Sequence, residues 1–158
     1  MKTNYFRAGA GAIIYNDEGK ILVFKRAAHP IGVWQLQQGG NDIGEKPEET
    51  LWRELVEETG LVKDEFTEVI EYPKWTIYEY SDEIRLDKNN PEPYRLGQCH
   101  KWWFLKLKPD TEIDLAKATD EEFSDWRWTT FDELIDESHE LKKPVYEELR
   151  DYFNENIK

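Results

Sequence analysis

The sequence predicts an α+β domain in which strands and a few helices are layered around one core. Three observations predict it. Short apolar runs bounded by Asn, Asp, Gly and Pro recur along the chain, as strands do. Helical spacing of apolar residues appears in only a few segments. Strands and helices do not alternate regularly, which argues against a βαβ architecture. A length of 158 residues suits one domain, 1–158, and no repeat, low-complexity tract or Pro/Gly/Ser linker divides it.

Residues 6–15 end in Ala12-Ile13-Ile14-Tyr15, followed by the turn-forming cluster Asn16-Asp17-Glu18-Gly19 and then Ile21-Leu22-Val23-Phe24. Two apolar runs around such a cluster predict a β-hairpin. Residues 27–33, with Pro30 and Gly32, predict a loop, and Trp34 begins another short extended piece. From Pro47 to Thr59 the pattern is helical: Pro47 suits the first turn, Leu51 and Leu55 lie one turn apart, and Gly60 stands where a left-handed stop belongs. Residues 66–80, rich in Val, Ile, Tyr and Trp, predict a strand, and 81–97, with Asn89-Asn90-Pro91 and Pro93, predict a long loop. Trp102-Trp103-Phe104-Leu105 reads as a buried strand and Phe123–Trp128 as a last short one. Thr130 with Glu133 matches a capping box opening about two turns of helix. Pro144 starts a terminal helix with Val145, Leu149, Tyr152 and Phe153 on one side.

With 39% apolar and 14% aromatic residues, the chain can bury a core and is not disordered. It carries 21 Lys and Arg against 34 Asp and Glu, a formal charge of −13. Such a surface repels polyphosphates and nucleic acid at long range, so an extended nucleic-acid footprint is not expected, and a phosphate substrate needs bound cations to neutralise it locally. Cys99 is the only cysteine; no internal disulfide forms, which agrees with a cytoplasmic protein. The first residues lack a signal-peptide apolar run, and no stretch is long and apolar enough to suggest a membrane span.

The chemistry concentrates between Gly39 and Leu61. Glu54, Glu57 and Glu58 stand at i, i+3 and i+4 of the predicted helix, within an arc of roughly 100°. Three like charges so placed repel unless a cation sits among them, and clustered carboxylate oxygens are what Mg²⁺ or Mn²⁺ requires. A solvated acidic face is the plain alternative for three glutamates alone. The flanking residues favour the metal. Gly39-Gly40 lets backbone approach an ion or a phosphate, and Arg53 can pair with Glu45 to fix the loop against the helix.

Gly39, then five residues, Glu45, seven residues, and Arg53-Glu54-Leu55-Val56-Glu57-Glu58-Thr59-Gly60-Leu61 match the Nudix box at every fixed position. The chain thus resembles the Nudix hydrolases. The resemblance implies a mixed β-sheet sandwiched between α-helices over nearly the whole chain. It further implies that Glu54, Glu57 and Glu58, helped by the Gly39 carbonyl, hold Mg²⁺, with Mn²⁺ as a substitute, while Glu45, Arg53 and Gly60 are structural. Trp34-Gln35-Leu36-Gln37-Gln38-Gly39-Gly40, Tyr72-Pro73-Lys74-Trp75, Gly97-Gln98, Lys101-Trp102-Trp103-Phe104-Leu105 and Glu122-Phe123 with Trp126-Arg127-Trp128 are similar to segments of the bacterial RNA pyrophosphohydrolases and dinucleoside polyphosphate hydrolases. By that similarity Glu122, with Glu121 as its rival, completes a metal site or takes a proton from water.

Cleavage of a phosphoanhydride bond in a nucleotide or an RNA 5′-end by a monomer or homodimer is therefore expected, with Glu57, Glu58 and Glu122 as catalytic candidates. Arg7, Lys25 and Arg26 are candidate phosphate clamps, and Trp75, Tyr78 and Tyr80 candidate base-stacking rings. Hydrolysis of free nucleotides or nucleotide sugars, and a silent nucleotide sensor, are the alternatives. His29, His100 and His139 share no metal-ligand spacing and receive no role. Gln37 replaces the proline usual in the lead-in of the RNA pyrophosphohydrolase and dinucleoside polyphosphate hydrolase group that this chain resembles.

Overall fold

A computed structural model describes residues 2–28 and 33–158. His29, Pro30 and Gly32, and with them most of the expected loop over 27–33, lie outside the described residues. The strands are β1 (Tyr5–Tyr15), β2 (Ile21–Arg26), β3 (Trp34–Gln35), β4 (Gln37–Gly40), β5 (Phe66–Glu71), β6 (Thr76–Glu79), β7 (Arg95–Leu107) and β8 (Phe123–Thr129). The helices are α1 (Pro47–Thr59), the single turn α2 (Asp82–Arg85), α3 (Phe131–Glu137) and α4 (Lys143–Asn156).

The strands form one mixed sheet in the order β3-β2-β1-β7-β5, with β4 also on β1, β6 also on β7 and β8 on β2. The long β1–β7 pair is parallel, from Tyr5 opposite Arg95 to Tyr15 opposite Lys106, and the other pairs are antiparallel. The apolar runs are continuous because both faces of the sheet are covered. Ile13, Tyr15, Val23, Trp102 and Phe104 point to a core closed by α3 and α4, through Phe131, Leu134, Val145, Tyr146, Leu149 and Phe153. Their strand neighbours Ala12, Ile14, Leu22, Phe24, Trp103 and Leu105 point the other way, to Leu51, Leu55 and Leu61 at α1. This is the sandwich that the box resemblance implies.

The splay of the first hairpin creates the site. β1 meets β2 at Tyr15 opposite Ile21, and the two strands then diverge. β3 continues along β2, with Phe24 opposite Gln35, while β4 continues along β1, from Gly9 opposite Gly40 to Ala12 opposite Gln37. The buried Leu36 lies between β3 and β4. The Gly-Gly segment is thereby held at the mouth of the splay, beside α1.

Local chemistry sets the bounds of α1. Pro47 stands at its first turn, and Gly60 closes it with φ 79° while donating its N–H to the Val56 carbonyl at 3.0 Å. Elsewhere the structure corrects the reading. The strand expected over 66–80 is two strands, broken at Tyr72-Pro73-Lys74-Trp75, where Pro73 has no N–H to offer a ladder. The loop expected over 81–97 contains α2, capped by the Ser81 hydroxyl, and already includes the start of β7. Thr130 does cap α3 through its hydroxyl, but the Glu133 carboxylate accepts from the Thr129 hydroxyl instead of closing a box.

Candidate active site

A cavity of about 490 Å³ opens at the hairpin splay. Glu54 and Glu58 of α1, Gly39 and Gly40 of β4, and Glu122 just before β8 line it, with Arg7 of β1, Arg26 of β2 and Tyr78 of β6. These sequence candidates come from five strands or their ends and one helix, and the fold gathers them around one cavity. Glu122 lines the cavity and Glu121 does not; the Glu122 carboxylate stands 3.8 Å from the Arg26 guanidinium.

Three candidates are not brought in. Lys25 neighbours Arg26 on a strand, where successive side chains face opposite ways, and it is absent from the cavity wall. Trp75 sits in the break before β6, is 46% exposed, and does not reach the cavity, whereas Tyr78 and Tyr80 do. Glu57 lies outside the lining, paired with Arg53 at 3.0 Å.

Arg53 organises the helix side of the site. Its guanidinium donates to both Glu45 oxygens at 2.6 and 2.9 Å, to Glu54 at 2.9 Å, to Glu57 at 3.0 Å and to the Gly40 carbonyl at 2.9 Å. Glu45 also accepts from the Thr50 hydroxyl and the Asp42 N–H, and with Arg53 as the main cause its carboxyl is held down at about 2. The glycines let two side chains lie against the backbone. A Cβ on Gly39 would lie 2.2 Å from the Glu54 carboxyl carbon, and one on Gly40 would lie 2.2 Å from the Arg7 guanidinium. A larger residue at either position would displace the Glu54 carboxylate or the Arg7 guanidinium from its place beside the backbone.

Glu58 is 4% exposed, and its Oε2 accepts from the Gln37 amide at 3.3 Å. Burial, then the Glu54 carboxyl, then the charge of Glu122, push its pKa well above the usual carboxylate range. Among the described residues no three His, Cys, Asp or Glu side chains form a preassembled metal cage. The donor set nonetheless fits a hard cation. Two cavity-facing carboxylates repel one another, a third acid, Glu57, stands between them on the same helix, and a glycine backbone is pressed against Glu54.

Sequence reasoning missed Gln35, Gln38, Gln98, Asp120, His139, Leu141 and Lys142, all of which line the cavity. Lys142 is the important omission. Burial, then the charge of Arg26, push its ammonium down to about 8, although Glu122 and Glu58 oppose the shift. Nothing in Glu140-Leu141-Lys142-Lys143-Pro144 distinguishes one lysine from the other; the packing of the short turn before α4 does. His139 accepts the Leu141 N–H in that turn.

His100 is buried at 2% exposure, stacked parallel to Tyr78 and tilted against Trp102. Burial, then the charges of Lys142 and Arg7, push its pKa from 6.5 down to about 3. The folded state holds it neutral. Its contribution to stability is complete above pH 6.5 and declines as the pH falls from there towards 3, by about 1.4 kcal/mol per pH unit. Denaturant unfolding at pH 7 and pH 5 should show a smaller loss in His100→Phe than in the parent; equal losses would contradict this assignment.

The NUDIX domain family model matches residues 5–149. The chain belongs to the Nudix family. This Nudix hydrolase, an enzyme acting on acid anhydrides, is 36% identical over 145 residues to an RNA pyrophosphohydrolase of Ruthia magnifica subsp. Calyptogena magnifica, covering 91% of this chain and 79% of that one. It is 34% identical over 154 residues to Nudix hydrolase 25 of Arabidopsis thaliana, with 91% and 83% covered. Among solved structures, the C. elegans Ap4A hydrolase in a binary complex matches with TM-score 0.66 at 19% identity, covering 94% of this chain and 98% of that one. The E. coli dihydroneopterin triphosphate pyrophosphohydrolase matches with TM-score 0.69 at 18% identity, covering 93% and 97%. The family uses a divalent metal. Among the described residues no helix is long and apolar enough to cross a membrane.

Proposed function

We propose that this Nudix hydrolase, acting in the cytoplasm as one domain over 1–158, cleaves the phosphoanhydride linkage of a 5′-triphosphorylated RNA end with Mg²⁺ as its ion. The supporting observation is a juxtaposition: in a chain of net charge −13, Arg7, Arg26 and Lys142 line the same cavity as Glu54, Glu58 and Glu122. Cations beside carboxylates suit a polyphosphate that also brings a divalent ion.

Glu54, Glu58 and the Gly39 carbonyl would hold the ion, and Glu57, paired with Arg53 on the same helix, would join them on leaving that pair; the ion's chemistry is to neutralise phosphate charge and acidify water. Arg7, packed on Gly40, and Arg26 grip phosphate oxygens. Lys142, depressed by burial and by Arg26, regains its proton affinity as the anionic substrate enters. Glu122, whose side chain is 40% exposed, would take a proton from the attacking water. That oxygen bonds to phosphorus, the bridging P–O bond breaks, and the leaving phosphate carries away the bond pair. Tyr78 and Tyr80 offer flat faces to the first base.

The acidic surface favours one second reading, a dinucleoside polyphosphate such as diadenosine tetraphosphate, which is held mainly at its phosphates and needs no basic track. A panel of a 5′-triphosphorylated oligoribonucleotide, diadenosine tetraphosphate, free (d)NTPs and nucleotide sugars, assayed with Mg²⁺ for phosphate and pyrophosphate release, separates these. The RNA end should give the highest kcat/KM; a higher value for the dinucleotide would select the second reading, and binding without cleavage would make the protein a sensor. Removing one charge-assisted clamp, in Lys142→Met, should lower kcat/KM on the best substrate by roughly 10- to 100-fold. Unchanged kinetics in that variant would take Lys142 out of the phosphate site.

A further inference from the structure

Gln37 has no exposed surface, yet it carries one of the described side chains' buried oxygens without a hydrogen-bond partner, Oε1. Such an oxygen destabilises a fold, and an apolar residue of the same size would avoid the penalty. The other end of the amide is engaged. Nε2 donates to Glu58 Oε2 at 3.3 Å, from a strand position opposite Ala12 on β1. Gln37 lies behind the cavity wall and is not part of the lining, while Glu58 is. The residue therefore touches no substrate and reaches the site only through the Glu58 carboxylate.

We propose that Gln37 is a positioning residue: its amide N–H fixes the rotation of the Glu58 carboxylate, so that one oxygen is tied to β4 and the other is presented to the cavity. The inference rests on the proposed ion-holding role of Glu58. Partners that orient metal-holding groups commonly set ion affinity and turnover by 10- to 100-fold.

The test is Gln37→Met, which keeps length and approximate volume but removes both amide atoms. Without divalent ion, its melting temperature should equal or exceed that of the parent, because the unpartnered oxygen is gone. Calorimetric titration with Mn²⁺ alone should show about tenfold weaker binding, and kcat should fall about tenfold with KM for the substrate nearly unchanged. A folded variant with parental Mn²⁺ affinity and kcat would overturn the proposal, as would a lowered melting temperature with unchanged affinity, which is the mark of packing alone. Gln37→Leu repeats the measurements if the first variant does not fold, and failure of both to fold also overturns it. Glu58→Gln, titrated in parallel, separates the two readings. Retained Mn²⁺ binding there would remove the ion-holding role of Glu58, whereas lost binding there with normal Gln37 variants would remove only the role of Gln37.

Discussion

Glu58→Gln should lower turnover by roughly 10²- to 10⁴-fold while leaving the ion-free protein at least as stable as the parent. The two effects have opposite signs for one reason. Glu58 is buried beside Glu54, with Glu122 lining the same cavity, so its negative charge is disfavoured until a cation arrives. A neutral amide of the same shape removes that repulsion, and with it the anionic oxygen that would hold the ion. Glu57→Gln should also lose turnover, with little change in stability, since Glu57 is one-third exposed and contributes one ion pair among several to Arg53. The measurements are kcat at saturating Mg²⁺ and the melting temperature in chelator. Near-parental turnover in folded Glu58→Gln would remove the acid from the mechanism, and a much lower melting temperature would show that its burial serves packing.

What the sequence revealed depended on whether the deciding chemistry was local. The bounds of α1 were legible because Pro47 and Gly60 act within one turn of themselves. The β1–β2 turn was legible because Asn16 organises it, its side chain accepting the N–H groups of Glu18 and Lys20. The start of β7 was not. Arg95 to Cys99 has no strong apolar pattern, and its ladder is supplied by β1, about ninety positions earlier in the chain, and by β6 across the intervening loop. The same division runs through the site. The spacing of Glu54 and Glu58 on a helix is set by the helix, so their shared face could be read directly. Lys142 and His139 reach the cavity only because α4 and the turn before it fold back over the sheet, and Gln35 reaches it only because β3 pairs with β2. Lys25 and Arg26 look equivalent in a string of letters, and only strand register decides which one turns toward the cavity.

Arg53→Met should damage stability and activity together. The guanidinium is about one-quarter exposed and joins the loop at Glu45 and Gly40 to the helix at Glu54 and Glu57. Without it, Glu45 and Glu54, both mostly buried, face one another's surroundings with no cation, and the Gly40 carbonyl loses its donor. Breaking a buried network costs about 3–5 kcal/mol; for this partly solvated one, about 2–3 kcal/mol is expected. The pH profile supplies an independent check. Glu45 is held at about 2 in the fold against 4.5 when free, so the stability it contributes is present above pH 4.5 and is lost as the pH falls through 2. The main cause of that depression is Arg53, so the variant should lose less stability than the parent between pH 4.5 and pH 2. Turnover should fall 10- to 100-fold as Glu54, Glu57 and the Gly39-Gly40 backbone lose their common brace. Denaturant unfolding across that pH range, with kcat at pH 7, measures both. A variant with parental kcat and an unaltered acid limb would show that the loop and helix hold the site without Arg53.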